Sequence, residues 1–369
     1  MTKKKGVLLI NLGTPDSPAV RDVRPYLSQF LNDPRVIDLP WLWRKILVNV
    51  IIVPFRASKS SVVYKKLWTS NGSPLLYYSR EAQRLLEESL GGEYRVHLAM
   101  RYKNPSIPDV LEEMRRENYD EIIVLPMFPQ YASASTGSAL EEVMRITQKW
   151  WVVPEIRYIS QYYDHPTFLK AQVDRAKAYD IASYDHVLFS YHGLPERQVD
   201  KAHNNKPCSE YHCETEVNHD NKFCYRATCY ATTRLIADAL GIPKEKYTVC
   251  FQSRLDQKWL KPFSDEVVAE CGRKGMKRIL VFSPAFTADC LETIIEIGEE
   301  YQDIFVEHGG EKVQLVESLN DHPLWIQCLK ELVLQASSSI TLLFASSCRV
   351  ARFPLISTKG TDWFFISSR

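Results

Sequence analysis

The two halves of this chain read alike, and that repetition limits the fold more than any single motif. Val7–Ile10 is a short apolar run that stops at Asn11-Leu12-Gly13-Thr14-Pro15, and Val187–Phe189 stops in the same way at Tyr191-His192-Gly193-Leu194-Pro195. Further on, Tyr247–Leu255 lies over Tyr94–Tyr102, and the run beginning at Ile279 lies over the run beginning at Ile122. Brief apolar runs closed by turn residues are the mark of buried parallel strands, and the stretches between them carry helical patterning. This alternation, twice over, predicts an α/β protein of two domains related by internal duplication, each a parallel sheet flanked by helices. Ligands of such sheets collect at the carboxyl ends of strands, so the cleft between the halves is the expected site.

In detail, strands are expected over Lys5–Asn11, Tyr94–Ala99, Glu121–Leu125 and Glu155–Ile159, with a last one near Lys312–Val316. Helices are expected over Ser17–Leu31, with Ser17 as cap and Pro18 at the first position, over Leu75–Leu90, and around Pro108–Asn118. The first half carries an extra stretch, Trp41–Trp68, rich in aromatic and aliphatic residues and edged by Arg44, Lys45, Arg56, Lys59, Lys65 and Lys66. It reads either as a core helix with a solvated basic edge or as an apolar lip that contacts a flat ligand or a membrane surface. Its place as an insertion beside a cleft favours the lip.

A formal net charge of +1 gives no electrostatic footprint for nucleic acid. The apolar run Val7–Ile10 is too short for a signal-peptide core, so a cytoplasmic location is expected. Nine cysteines make an odd number and argue against a disulfide framework. Four of them, Cys208, Cys213, Cys224 and Cys229, are separated by four, ten and four residues inside a polar insertion at about 202–229. Thiols at that density point to a soft metal, either structural zinc or an iron–sulfur cluster, with His212 and His219 available to replace a cysteine.

His192 is the residue that most invites chemistry. It ends a strand where the chain enters a Gly-Leu-Pro turn, and an imidazole there serves as proton acceptor or neutral metal ligand near pH 7. A bland turn histidine is the competing reading. Past the Ile279 strand, Asp289, Glu292, Glu296 and Glu299 or Glu300 recur at three- and four-residue intervals, which on an α-helix puts them along one face. A solvated acidic face is the ordinary explanation; a carboxylate opposite His192 across the cleft is the functional one.

Taken together, Leu9–Pro15, Met100-Arg101-Tyr102, Pro129-Gln130-Tyr131 with Ser135-Thr136-Gly137-Ser138, Ser190–Pro195 and Phe286–Thr293 resemble the bacterial ferrochelatase family, in order, from about Gly6 to about Val333. The resemblance implies two Rossmann-like domains of the chelatase type that insert Fe²⁺ into protoporphyrin IX to give heme. By matching positions, His192 and Glu292 become the catalytic and metal-binding pair, with Leu12, Arg101, Tyr102 and Tyr131 against the porphyrin. Asp289, Glu296 and Glu299 become a path for protons or iron, and Cys290 stands where some members have histidine. The resemblance also implies a [2Fe-2S] cluster on Cys208, Cys213, Cys224 and Cys229, with zinc as the alternative. Peripheral contact with the inner membrane through 41–68 follows from the lip. The domains are drawn as 1–170 and 171–318, followed by a C-terminal helix at 319–335. The segment 336–369 matches nothing and is assigned nothing. A chelatase for another tetrapyrrole and an iron–sulfur sensor are the rival readings.

Overall fold

The computed structural model describes residues 4–338. Of the unassigned segment, residues 339–369 lie outside the described residues. Strands β1 (Lys5–Gly13), β2 (Tyr94–Tyr102), β3 (Glu121–Pro126) and β4 (Glu155–Tyr158) form one sheet in the order β2-β1-β3-β4. Strands β5 (His186–His192), β6 (Tyr247–Gln252), β7 (Arg278–Phe282) and β8 (Lys312–Leu315) form a second in the order β6-β5-β7-β8. All six pairings are parallel, and the two orders are the same order. In each sheet the direction of winding reverses at the central strand, β1 or β5, which opens a crevice at its carboxyl end. His192 is the last residue of β5.

The pairing corrects one part of the sequence overlay. Val7 lies opposite Val96, but Val187 lies opposite Tyr247, so β6 is displaced by two residues from the expected match with β2. A two-residue slip keeps every side chain on its own face, which is why the apolar pattern could not detect it. The residue equivalent to Arg101 is therefore Gln252, not Arg254. Two glycines mark the same crowded point in both halves. A Cβ on Gly13 would fall 2.0 Å from the Tyr102 carbonyl oxygen, and one on Gly193 would fall 2.7 Å from that of Gln252.

The first helix runs Val20–Leu31 and starts three residues later than expected. Ser17 does not cap it. Its hydroxyl accepts the Ala19 N–H at 3.2 Å and bonds the Asp22 carboxylate, which closes a local turn ahead of the helix. The stretch Trp41–Leu67 is one helix, with π-type hydrogen bonding over Leu47–Ile52. One face buries Val48, Val53, Ala57, Tyr64 and Leu67 against Val23, Tyr26, Leu27 and Leu31. The other exposes Trp41, Trp43, Val50 and Phe55, the last at 76%. Its length and composition would let it cross a membrane, yet one face packs on the first helix.

The helix Pro323–Ser338 returns to the first half, where Trp325, Leu329 and Val333 pack with Val7, Leu9, Ile123 and Leu125. Each of those three is wholly buried and contributes about 1.5–3 kcal/mol of hydrophobic stabilisation. The last helix thus closes the core of the N-terminal sheet and ties the two halves together.

Candidate active site and metal centre

The His192 imidazole is half-buried at the end of β5, between the rings of Trp259 and Phe286, each 6.5 Å away by centroid. Its Nδ1 lies 2.6 Å from the Gly193 carbonyl oxygen. A carbonyl can only accept, so Nδ1 carries the hydrogen and Nε2 keeps its lone pair. Among the described residues, Nε2 has no protein hydrogen-bond partner. The carbonyl of His192 itself accepts from the buried Tyr225 hydroxyl at 3.0 Å. The peptide that carries the imidazole is held from both sides.

Gln252, the register partner of His192, joins that strand end to the acidic helix. Its Nε2 donates to the Glu292 carbonyl at 3.0 Å and to Glu296 Oε2 at 2.9 Å, while its Oε1 accepts from Ser190 at 2.7 Å. Arg101 does the equivalent work in the first half, donating from Nε to both the carbonyl and the hydroxyl of Ser138. In both halves a residue at the carboxyl end of the second strand clamps the helix that follows the third.

The segment Glu292–Glu300 is a π-helix, and Asp289 precedes it. Asp289, Glu292, Glu296 and Glu299 each have their own partners. Asp289 accepts from Asn320 Nδ2 at 2.8 Å and from Thr293 at 3.2 Å. Glu296 accepts from Gln252, the Ser253 N–H and hydroxyl, and Tyr301. Glu299 pairs with Lys66 at 3.1 Å. Glu292 faces the long helix: burial and then its charge push up the Tyr26 hydroxyl, and burial, Tyr26 and Glu292 together do so for Tyr64. Burial and Glu292 likewise push up the Cys290 thiol, which stays protonated beside that carboxylate. Burial first, then Glu296, raises Glu300 above the ordinary carboxylate range.

Of the expected porphyrin contacts, Tyr131 lies at the cleft, and Leu12 packs against the first-helix cluster. Tyr131 lines a cavity of about 340 Å³ between the halves, with Pro34, Arg35 and Asp38 on its own side and Leu194, Lys201, Phe223 and Tyr225 opposite. His192 is not in its wall; Leu194 and Tyr225 adjoin it, so the cavity opens beside the imidazole. Leu12 is half-buried at the end of β1. Tyr102 is fully buried and offers no open surface. Its hydroxyl donates to Asp33 at 2.9 Å, and burial, then Asp33, holds it protonated. Arg101 also reaches Asp33, at 2.8 Å through Nη2, which leaves Nη1 as its unbonded nitrogen.

The cysteine insertion is rearranged relative to expectation. Cys208, Cys213, Cys224 and His203 are all buried and bring their ligand atoms within 4.8 Å of one another. Cys208 Sγ and Cys224 Sγ are 3.5 Å apart, and His203 Nε2 is 3.6 Å from Cys213 Sγ. Cys229 is not in the group. It lies one turn into the helix Tyr225–Leu240, fully buried in the core of the second half, where burial pushes its thiol well up. Among the described residues, His203 is the histidine gathered with these thiols. The spacing of four residues between Cys224 and Cys229 resembled a ligand pair, but the helix that begins at Tyr225 turns Cys229 away. His203 presents Nε2 to Cys213, and its Nδ1 is buried without a hydrogen-bond partner.

A family model for ferrochelatase matches residues 4–337. A ferrochelatase of Legionella pneumophila (strain Paris) is 44% identical over 331 residues, 89% of this chain and 98% of its own. One from Coxiella burnetii (strain Dugway 5J108-111) is 42% identical over 332 residues, 89% of this chain and 93% of its own. The chain belongs to the ferrochelatase family. Its activity is porphyrin metallation with ferrous iron, in heme biosynthesis, and iron and porphyrin are its substrates. The solved structure of SirB from Bacillus subtilis with Fe³⁺ has a TM-score of 0.51 at 15% identity, over 91% of this chain and 97% of that one. At that identity the likeness speaks for the two-domain chelatase fold alone.

Sequence reasoning missed Gln252, Asp33 and His203. Gln252 was visible as a polar residue closing an apolar strand, but the two-residue slip hid its match with Arg101. Asp33 and His203 carried no signal of their own; folding alone sets them beside Arg101 and the thiols.

Proposed function

We propose that this chain metallates protoporphyrin IX in the cleft between its sheets, with His192 and Glu292 as the residues at the reacting centre. The observation that carries the assignment is the locked imidazole: Nδ1 is bound to the Gly193 carbonyl and Nε2 is left as a base at a strand end that Gln252 ties to Glu292. Entry of Fe²⁺ requires two pyrrole N–H bonds to break. Nε2 accepts one proton directly, and Glu292, whose backbone carbonyl Gln252 ties to the same strand end, is assigned to take the other or to steady the incoming cation. Glu296, Glu299 and Glu300 follow Glu292 along one helix from half-buried to exposed, and offer protons a way out. Asp289 serves by fixing the start of that helix through Asn320 and Thr293. Leu12 and Tyr131 border the ring, and Arg101 Nη1 is placed to meet a propionate. Purified protein given Fe²⁺ anaerobically with protoporphyrin IX or coproporphyrin III tests the reading. Protoheme formation is expected; preference for the second porphyrin would overturn the substrate.

The insertion supports a resident metal held by His203, Cys208, Cys213 and Cys224. Such a group supplies structural cross-linking there and stands apart from the proton chemistry. The family resemblance favours a [2Fe-2S] cluster. The spacing favours zinc as a second reading, because a tetrahedral ion with Zn–S bonds of about 2.3 Å places its ligands roughly 3.8 Å apart, close to the 3.5 and 3.6 Å seen. Visible absorption with labile sulfide would identify the cluster, and stoichiometric zinc in a colourless protein would identify the ion. In either case Cys229→Ser is expected to retain the metal and His203→Ala to lose it; the reverse result would restore the four-cysteine set.

The exposed face of the helix Trp41–Leu67 supports contact with the inner membrane by a cytoplasmic enzyme. Trp41, Trp43 and Phe55 project beside Arg56 and Lys59, an apolar strip with a basic border. Flotation with vesicles rich in phosphatidylglycerol should recover the protein, and Trp43→Ser combined with Phe55→Ser should release it. Equal flotation of both proteins would refute the contact.

A further inference from the structure

We infer that the metal centre of the insertion sets the position of the active-site wall, and that Tyr225 is the positioning residue that carries this to His192. The inference rests on the metal reading above and goes beyond it. Its basis is how ligands and cleft residues interleave along the chain. His203 directly follows Lys201 and Ala202, which line the cavity, and Cys224 sits between Phe223 and Tyr225, which also line it. Moving either ligand moves the wall.

Tyr225 makes the connection specific. It opens the helix Tyr225–Leu240 with Cys224 at the cap position, and its buried hydroxyl donates to the His192 carbonyl at 3.0 Å. The next carbonyl, that of Gly193, is the one that fixes His192 Nδ1. A shift of Cys224 would therefore turn the peptide on which the imidazole tautomer depends. On the opposite side of the cavity, Phe223 meets the Tyr131 ring at 5.9 Å, and Lys201 reaches Asp38 at 2.9 Å. The same segment thus bears on both substrate and base.

Regular secondary structure orders little of the insertion, which is held by side-chain bonds such as those of Asn221 to the Tyr211 and Glu216 carbonyls. From Ala202 to Cys224 it holds only short 3₁₀ turns, with Asn204, Asn205 and His212 in left-handed conformations. A segment so poor in regular hydrogen bonding gains its definition from whatever cross-links its ends, and metal binding to His203, Cys208, Cys213 and Cys224 does that. Asp200 assists by accepting the Cys208 N–H at 2.8 Å.

Two variants test the two links. Tyr225→Phe removes one hydroxyl and keeps the ring. Metal content and porphyrin affinity, read by quenching of protein fluorescence, should stay at wild-type levels, while kcat falls roughly tenfold for loss of the positioning bond. The acid limb of the kcat–pH profile should move as well, which a merely structural change would not cause. Cys208→Ser should lose the metal, weaken porphyrin binding by about tenfold and open residues 202–224 to limited proteolysis. Unchanged kcat and pH profile in Tyr225→Phe would overturn the role of Tyr225. A metal-free Cys208→Ser protein that binds porphyrin and resists protease like the wild type would overturn the coupling. Wild-type protein that takes up neither iron nor zinc would overturn the metal reading itself, before any variant is made.

Discussion

Replacing His192 with alanine is expected to lower kcat for iron insertion by about 10²- to 10⁴-fold, the span of general acid–base contributions. The expectation follows from how little else in the cleft can do its work. The imidazole is held with its hydrogen on Nδ1, against the Gly193 carbonyl, so the basic nitrogen is already the one left free. Its peptide is braced by Tyr225, and Trp259 and Phe286 flank the ring, so the base is positioned before substrate arrives. Glu296 is engaged by four protein donors, and Asp289 by two from Asn320 and Thr293, so neither is free to stand in. Metalloporphyrin formation measured anaerobically with Fe²⁺, and separately with Zn²⁺, reads the loss. Porphyrin binding by fluorescence should persist, because the alanine leaves the cavity wall in place. A variant within about twofold of wild type would remove His192 from the proton step.

The second large effect concerns stability. Asp33 lies almost wholly inside, where its carboxylate accepts from Arg101 at 2.8 Å, from Tyr102 at 2.9 Å, from the Arg35 N–H at 2.8 Å, and from Ser138. Asp33→Ala would leave the Arg101 guanidinium buried without a counter-charge and the Tyr102 hydroxyl without its acceptor. Breaking a buried pair in this way costs about 3–5 kcal/mol. The midpoint of urea unfolding should fall accordingly with an unchanged slope. Asp33→Asn should recover part of the loss by keeping an acceptor for Tyr102 and Ser138. A fall of less than about 1 kcal/mol would show that the pair is worth no more than a surface bridge.

Asp33 also shows where reading the chain by itself stops. Arg101 and Tyr102 stood out in the sequence as porphyrin contacts, and both sit at the strand end where such contacts gather. Nothing near them in sequence announced that residue 33, beyond the end of the first helix, would pair with Arg101 and accept from the Tyr102 hydroxyl. The acidic segment behaved similarly. Its residues were visible, but their partners were not: Asp289 meets Asn320, Glu296 meets Gln252 and Glu299 meets Lys66.

What the sequence determined by itself is the architecture and the strand end that carries His192. Apolar runs that end in turn residues demand buried parallel strands, their repetition demands two sheets, and the strand end carrying His192 is where such sheets present a ligand. Those signals are local, so they survive without knowledge of the fold. Tertiary structure alone decided which residues surround the base. The β2–β6 slip, the choice of His203 over Cys229, the return of Trp325 to the first core and the clamp of Gln252 on Glu292 all depend on distances between segments far apart in the chain. Period-two patterning is blind to a slip of two. Spacing in sequence cannot tell a ligand from a thiol that a new helix has turned into the core.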